Sequence, residues 1–168
     1  IDGGQLRRLL NFPRNREPLA CITTAMGSCY NTSVINAPIA AVWDKIRNFH
    51  KMDWAAGVIT SVEPVGDVPG DEPGAGRVLN EAIHETLRTL NDDDYSLSYT
   101  IDDGPSPISK DDVSNYLGEV RLVPITENDA TLIEWKSSYE SDANEAVGDF
   151  CNPIYRALLQ ALKSYFAG

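Results

Sequence analysis

Glu85 is the residue whose setting could do chemistry. It lies in a strand-like stretch, 83–90, whose side chains alternate between two faces. Ile83, Glu85, Leu87 and Thr89 share one face, and His84, Thr86, Arg88 and Leu90 the other. If the first face points inward, a carboxylate enters an apolar interior. Unpaired there, it costs several kcal/mol or holds its proton to higher pH. Such a carboxyl is a candidate general acid/base, or an anchor for the polar group of a ligand. The plainer reading sets Glu85 near the mouth of the interior, solvated or paired with a cation. His84 is a tempting base, but its parity points it outward.

Polar-tipped aromatics share the inward faces of the neighbouring segments. In 130–141 the odd positions Thr131, Ile133, Trp135, Ser137 and Tyr139 oppose Glu134, Lys136 and Glu140. Before it, Tyr116, Gly118, Val120 and Leu122 oppose Glu119 and Arg121, while Leu97, Tyr99 and Ile101 oppose Ser96, Ser98 and Thr100. Buried tyrosine hydroxyls and an indole N–H need partners, which water or a ligand in a pocket would supply. A solid core more often uses Leu, Ile and Val. Aromatic pairs are also ordinary sheet packing, so the residues alone leave cavity and solid core level.

Other chemistries find no support. Cys21, Cys29 and Cys151 are odd in number and lack metal-ligand spacing, and His50 and His84 lie far apart. No metal and no other cofactor is expected, and the cysteines read as free, partly buried thiols in a reducing compartment. No spacing singles out a nucleophilic Ser or Cys. The loop 66–76, GDVPGDEPGAG, is Gly-rich but acidic, and it lacks the lysine and the strand–loop–helix context of a phosphate cradle.

The elements that must position these groups follow in a clear order. A β-branched run marks a strand over 29–36. Pro38 opens a helix whose Ile39, Val42, Trp43, Ile46 and Phe49 form one buried face. A short helical piece covers 50–55 and a second strand 58–65. Strands then follow over 77–90 (two, with a bend near Ala82), 95–101, 113–124 and 130–141, separated by turn signals. That succession is an antiparallel meander. The segment 143–166 is helical, with Val147, Phe150, Cys151, Ile154, Leu158, Leu162 and Phe166 three or four apart, and Pro153 predicts a kink or break near Asn152. An antiparallel sheet curved around this long amphipathic helix satisfies the order. A gap between the two would be a cavity.

The 168 residues, 42% of them hydrophobic, suit one domain with a substantial core. The net charge of -11 argues against nucleic acid and against an anionic membrane surface. No stretch reaches the roughly 18 apolar residues of a membrane span. The apolar piece 19–26 is short for a signal peptide, so a cytoplasmic location is expected. Residues 1–28, broken by Gly3, Gly4, Pro13 and Pro18, read as an N-terminal arm or extension, and 29–168 as the domain. Met26 precedes the first clear strand, and the upstream residues are either an extension or an arm that packs on the domain.

The segments VINAPIAAVWDKIRNFHKMDWAAGV, GAGRVLN, ETLRTLNDDDYSLSYTIDDGPSPIS, SNYLGEVRLVP and LIEWKSSYE occur in this order between Val34 and Phe166. In them the chain resembles the Bet v 1/START-like (SRPBCC) superfamily, specifically its polyketide cyclase/dehydrase-like branch. The resemblance implies an α+β helix-grip fold: a curved seven-stranded antiparallel sheet around a long C-terminal helix, with an internal cavity. In the plant abscisic acid receptors, distant relatives, a cavity glutamate matches Glu85, and cavity positions match Tyr99, Ile101, Tyr116 and Trp135. The chain departs from those receptors in three places. Ala56 stands near the position of their hormone-binding lysine, 80–85 runs on without their gate loop, and 105–112 replaces their latch. A ligand held by a carboxylate–lysine pair is therefore not expected. With few cations inside, a neutral or weakly polar ligand fits better.

Three functions follow. The first is binding of a small hydrophobic molecule, aromatic or polyketide-like, in the cavity. The second is a cyclase/dehydrase-type enzyme with Glu85 as acid/base, Tyr99 and Tyr116 donating to a developing enolate oxygen and Trp135 stacking on a ring. The third is an accessory protein whose interior is filled by its own side chains, which an exposed Trp54 would favour. The candidate ligand-binding residues are Trp54, Glu85, Leu87, Tyr99, Ile101, Tyr116, Trp135, Tyr139, Phe150 and Ile154. A homodimer is open, without a specific signal.

Overall fold

Proline and glycine punctuation divides the chain much as its sequence suggests. The computed structural model describes residues 25–168. Cys21 and the arm up to residue 24 lie outside the described residues. Strand β1, Met26–Ile35, begins three residues earlier than the β-branched run implied and ends just before Pro38, the N-cap of helix α1, Ile39–Ile46. Val42, Trp43 and Ile46 form the buried face of α1. One turn of 3-10 helix follows, Asp53–Ala55, and then β2, Val62–Val65.

β2 starts four residues later than expected, because the backbone before it is engaged elsewhere. The N–H groups of Val58 and Ile59 both donate to the Ala55 carbonyl, and that of Thr60 donates to Asn80 Oδ1. The meander continues with β3, Gly76–Leu79, β4, Ile83–Asn91, β5, Ser96–Asp103, β6, Val113–Ile125, and β7, Ala130–Ser141. The seven strands form one antiparallel sheet in the order β1-β7-β6-β5-β4-β3-β2.

Burial follows the expected parity in β5, β6 and β7, where Tyr99, Tyr116, Val120, Leu122, Ile133 and Trp135 face inward. In β4 the parity changes midway. A bulge between Leu87 and Thr89 leaves an unpaired residue, so Thr89 turns out opposite Ser98, while Leu90 turns in opposite Leu97. The extra residue bends the strand and helps the sheet curl.

Helix α2, Asn144–Ala167, packs chiefly along β1 and closes the open side of the sheet. It presents Val147, Cys151, Tyr155, Leu158, Leu159 and Leu162 to the core. The break expected near Asn152 is absent, and the helix runs unbroken through Pro153. Pro153 and Asp149 both lie on the exposed side of the helix. The Asp149 carbonyl that loses its helical partner can therefore be satisfied by water, and packing of the opposite face holds the helix together. This is the expected helix-grip arrangement. Among the described residues, no helix is long and apolar enough to cross a membrane.

Candidate functional site

The β3–β4 hairpin turns at residues 80–82, with Asn80 and Glu81 at positive φ, 52° and 58°. Its register sets Arg77 directly opposite Glu85, and both side chains point inward. Glu85 is therefore neither solvated nor alone. The pair is 6% exposed on each side. Arg77 Nε donates to Glu85 Oε2 at 2.7 Å and Nη2 lies 2.6 Å from the same oxygen. Arg77 Nη1 donates to the Phe49 carbonyl at 2.8 Å, and the guanidinium lies 3.6 Å from the centre of the Phe49 ring. Burial pushes the Glu85 carboxyl above its ordinary value, while the charge and hydrogen bonds of Arg77 pull it back. The net direction is upward, because burial is the larger effect.

The expectation of few cations in the interior is thus corrected by Arg77. Its planar fork can hold the carboxylate, stack on a ring and cap a carbonyl at once, which a lysine could not do. The signal was in the sequence, in the GAGRVLN segment. Once the bend near Ala82 is taken as a tight turn, position 77 must face position 85.

Two small voids adjoin this pair. One, about 30 Å³, is lined by Phe49, Trp54, Leu97 and Tyr99 among others. The other, about 40 Å³, is lined by Glu85, Ile101, Ile108, Phe150 and Ile154 among others. Met52, Arg77 and Trp135 line both and so form the partition between them. Each void has room for water-sized molecules only, far below the ~300–1,000 Å³ of ligand pockets. The interior expected as one cavity is largely filled by its own aromatic side chains.

Trp54, Glu85, Tyr99, Ile101, Trp135, Phe150 and Ile154 come together around the two voids. Trp54 is buried rather than exposed, which removes one feature that would have favoured an accessory protein, whereas the filled interior is what that reading assumes. Its indole Nε1 has no hydrogen-bond partner among the described residues. Leu87, Tyr116 and Tyr139 are buried but line neither void. Tyr116 and Tyr139 instead stack on one another, with ring centres 5.5 Å apart.

Hydroxyl networks tie the aromatics together. Trp135 Nε1 donates to the Tyr99 hydroxyl at 2.9 Å, and burial raises the Tyr99 phenol above its ordinary value. The Tyr116 hydroxyl donates to Cys151 Sγ at 3.4 Å and is hydrogen-bonded to the Tyr155 hydroxyl. Tyr155, on α2, was not anticipated; it lies three positions before Leu158 in a Leu-rich stretch and reads there as ordinary core. Met52 was missed because nothing in an apolar side chain marks it as a partition. His84 is exposed, as its parity indicated. No group of three or more His, Cys, Asp or Glu is arranged to hold a metal among the described residues.

Comparison with known proteins agrees with this geometry. Residues 26–167 match the family described as polyketide cyclase / dehydrase and lipid transport. The structure is similar to that of a protein from Nitrosospira multiformis, with 40% identity, a TM-score of 0.80, and coverage of 83% of this chain and 95% of that one. A protein from Bacillus thuringiensis shares the fold at 23% identity and a TM-score of 0.69, over 84% of this chain and 100% of that one. The protein XoxI from Bacillus cereus does so at 22% identity and a TM-score of 0.68, over 84% and 96%. None of the curated proteins matches the sequence.

Proposed function

Because the chain belongs to the polyketide cyclase/dehydrase and lipid transport family, we propose that it binds a small, largely hydrophobic molecule, aromatic or polyketide-like, between its sheet and α2. The observation that carries this reading is the buried N–H of Trp54, unpartnered among the described residues, on the void that Arg77 also lines. A buried donor without an acceptor costs about 1–3 kcal/mol, and a ligand oxygen would relieve it. Arg77 points to the same chemistry. Three contacts occupy its N–H groups, out of about five such donors on a guanidinium, so donors remain for a carbonyl, enol or phenol oxygen.

Entry of such a molecule requires the two voids to merge. Met52 is the partition residue best able to move, since its unbranched side chain changes rotamer at little cost. The ligand body would then lie against Trp135, with Glu85 and Arg77 on its polar side. A reducing, cytoplasmic setting, in which Cys29 and Cys151 are free thiols, is part of the same proposal.

Native mass spectrometry of the purified protein, with thermal-shift measurements against aromatic and polyketide-like compounds, tests the proposal. A bound mass or a rise in melting temperature is expected, and Trp54→Phe should keep the fold and lose most of that rise. No bound mass and no shift across a broad set would overturn it.

One observation favours the second reading, a cyclase/dehydrase-type enzyme with Glu85 as acid/base. Burial moves the Glu85 carboxyl upward, toward the range in which a proton can be both given and taken. Glu85→Gln should then abolish turnover of a bound compound while leaving its binding in place. Unchanged turnover in that variant would leave binding alone.

A further inference from the structure

Two of the cysteines, distant in sequence, meet in the fold. Cys29 lies on the inward face of β1 and Cys151 on the inward face of α2, each 3% exposed. At the neighbouring level of the same two elements, Asn31 Nδ2 donates to Asn152 Oδ1 at 2.8 Å, which pins strand and helix together. The stacked pair of tyrosines completes the setting. The Tyr139 hydroxyl lies 3.8 Å from Cys29 Sγ, and the Tyr116 hydroxyl donates to Cys151 Sγ at 3.4 Å. The two thiols are close enough that each perturbs the ionisation of the other.

We propose that Cys29 and Cys151 are a redox-active dithiol, which hydroperoxides convert to an intramolecular disulfide linking β1 to α2. The inference stands whether or not the interior takes a ligand.

The two sulfurs are set for different roles. The hydrogen bond from Cys151 lowers the Cys29 thiol to about 6, against the opposing effect of burial. Cys29 is thus the more readily ionised of the two, and the thiolate is the form that attacks. Cys151 is pushed upward, first by donating to Cys29 and then by burial, so it keeps its proton. Its side chain lines the void of about 40 Å³, so a water-sized oxidant held there would sit beside Cys151 and next to the pair.

The Cys29 thiolate attacks the outer oxygen of the hydroperoxide. The O–O bond breaks, Cys29 becomes a sulfenic acid, and the leaving alkoxide or hydroxide takes a proton to give an alcohol or water. Cys151 then attacks the Cys29 sulfur, the S–OH bond breaks, and the hydroxide leaves as water with the Cys151 proton. Two thiols and one hydroperoxide give one disulfide, one alcohol or water, and one further water.

The test uses the full chain with Cys21→Ser, so that no third thiol competes. After one equivalent of hydrogen peroxide at pH 7, intact mass should fall by two hydrogens. A linked Cys29–Cys151 peptide pair should appear without reductant and vanish with dithiothreitol, and the melting temperature should rise. Oxidation should slow several-fold at pH 5, where the Cys29 thiol is protonated. Sulfinic acid at either cysteine without a linked pair, a link formed only in denaturant, or a link only between chains would each overturn the proposal. Cys29→Ser supplies a second reading, in which Cys151 should resist oxidation. Its oxidation at the wild-type rate would remove Cys29 as the attacking group.

Discussion

Arg77→Met removes the cation from the buried pair and leaves the carboxylate. Glu85 then has two ways to exist in the fold, as an unpaired buried charge or as a neutral acid. The first costs about 3–5 kcal/mol. The second is limited by the work of protonating a carboxyl with an ordinary value near 4.5. At 1.36 kcal/mol per pH unit, that work is about 3.4 kcal/mol at pH 7 and about 0.7 kcal/mol at pH 5. The neutral acid is the cheaper state at pH 5 and competes closely at pH 7.

A second, pH-independent loss comes from the Phe49 carbonyl, which no longer has its donor and costs about 1 kcal/mol or more. The folded carboxyl lies above its unfolded value, so its contribution to stability is complete below about 4.5 and fades as pH rises through the folded value. The variant should therefore lose several kcal/mol at pH 7 and much less at pH 5. The gap can reach about 2.7 kcal/mol, less whatever part of the upward shift the native pair already carries. Urea unfolding of both proteins at the two pH values reads it directly. The double variant Arg77→Met/Glu85→Leu should recover most of the loss, since no orphaned charge remains. An equal penalty at both pH values, or a loss below about 1 kcal/mol at pH 7, would refute the assignment of a buried ion pair.

Two further perturbations probe what positions the site. A Cβ at Gly118 would collide with Cζ of Tyr99, so Gly118→Ala should displace that ring. It should weaken the Trp135–Tyr99 hydrogen bond and cost about 1–3 kcal/mol in chemical unfolding, and a neutral outcome would contradict the packing. Asp92, in the β4–β5 turn, accepts from Trp43 Nε1 and from Arg47, which holds its carboxyl below the usual range. Its contribution is present above that range and is lost as pH falls through the lowered folded value. Asp92→Asn should therefore lower the melting temperature at neutral pH and match wild type in strong acid.

The sheet was legible where one rule governed a segment. β7 runs over Ala130–Ser141, the span its alternation indicates, and its odd residues face inward throughout. Legibility failed where a local event overrode the period. The bulge in β4 returns Leu90 to the interior, which strict alternation forbids. The N–H groups of 58–60 are spent on Ala55 and Asn80, which delays β2 although its residues look β-prone throughout. Pro153 breaks nothing because it falls on the wet side of α2. At the site, the parity of Glu85 was readable but its partner was not, since Arg77 becomes visible only when the hairpin register is worked out. The size of the voids is set by how rings from the 3-10 turn, β5, β7, α2 and the loop carrying Phe49 settle against one another, which no single segment encodes.

The pairing of β1 with β7 bears on the order in which the fold can form. Met26 lies opposite Glu140 and Ile35 opposite Thr131, whereas every other strand pairs with its neighbour in sequence. The meander from β2 to β7 can assemble hairpin by hairpin as it is made. β1 must wait until β7 and α2 have been made, because its partner strand and the helix that covers it come last in order among the described elements. Closure of that long loop is the slow, entropically costly step, and a chain stalled before it exposes the strand edge and the apolar concave face together. Truncations within α2 should accordingly be far more harmful in the cell than their distance from Glu85 suggests, because the first strand would return to β7 with no helix to cover it.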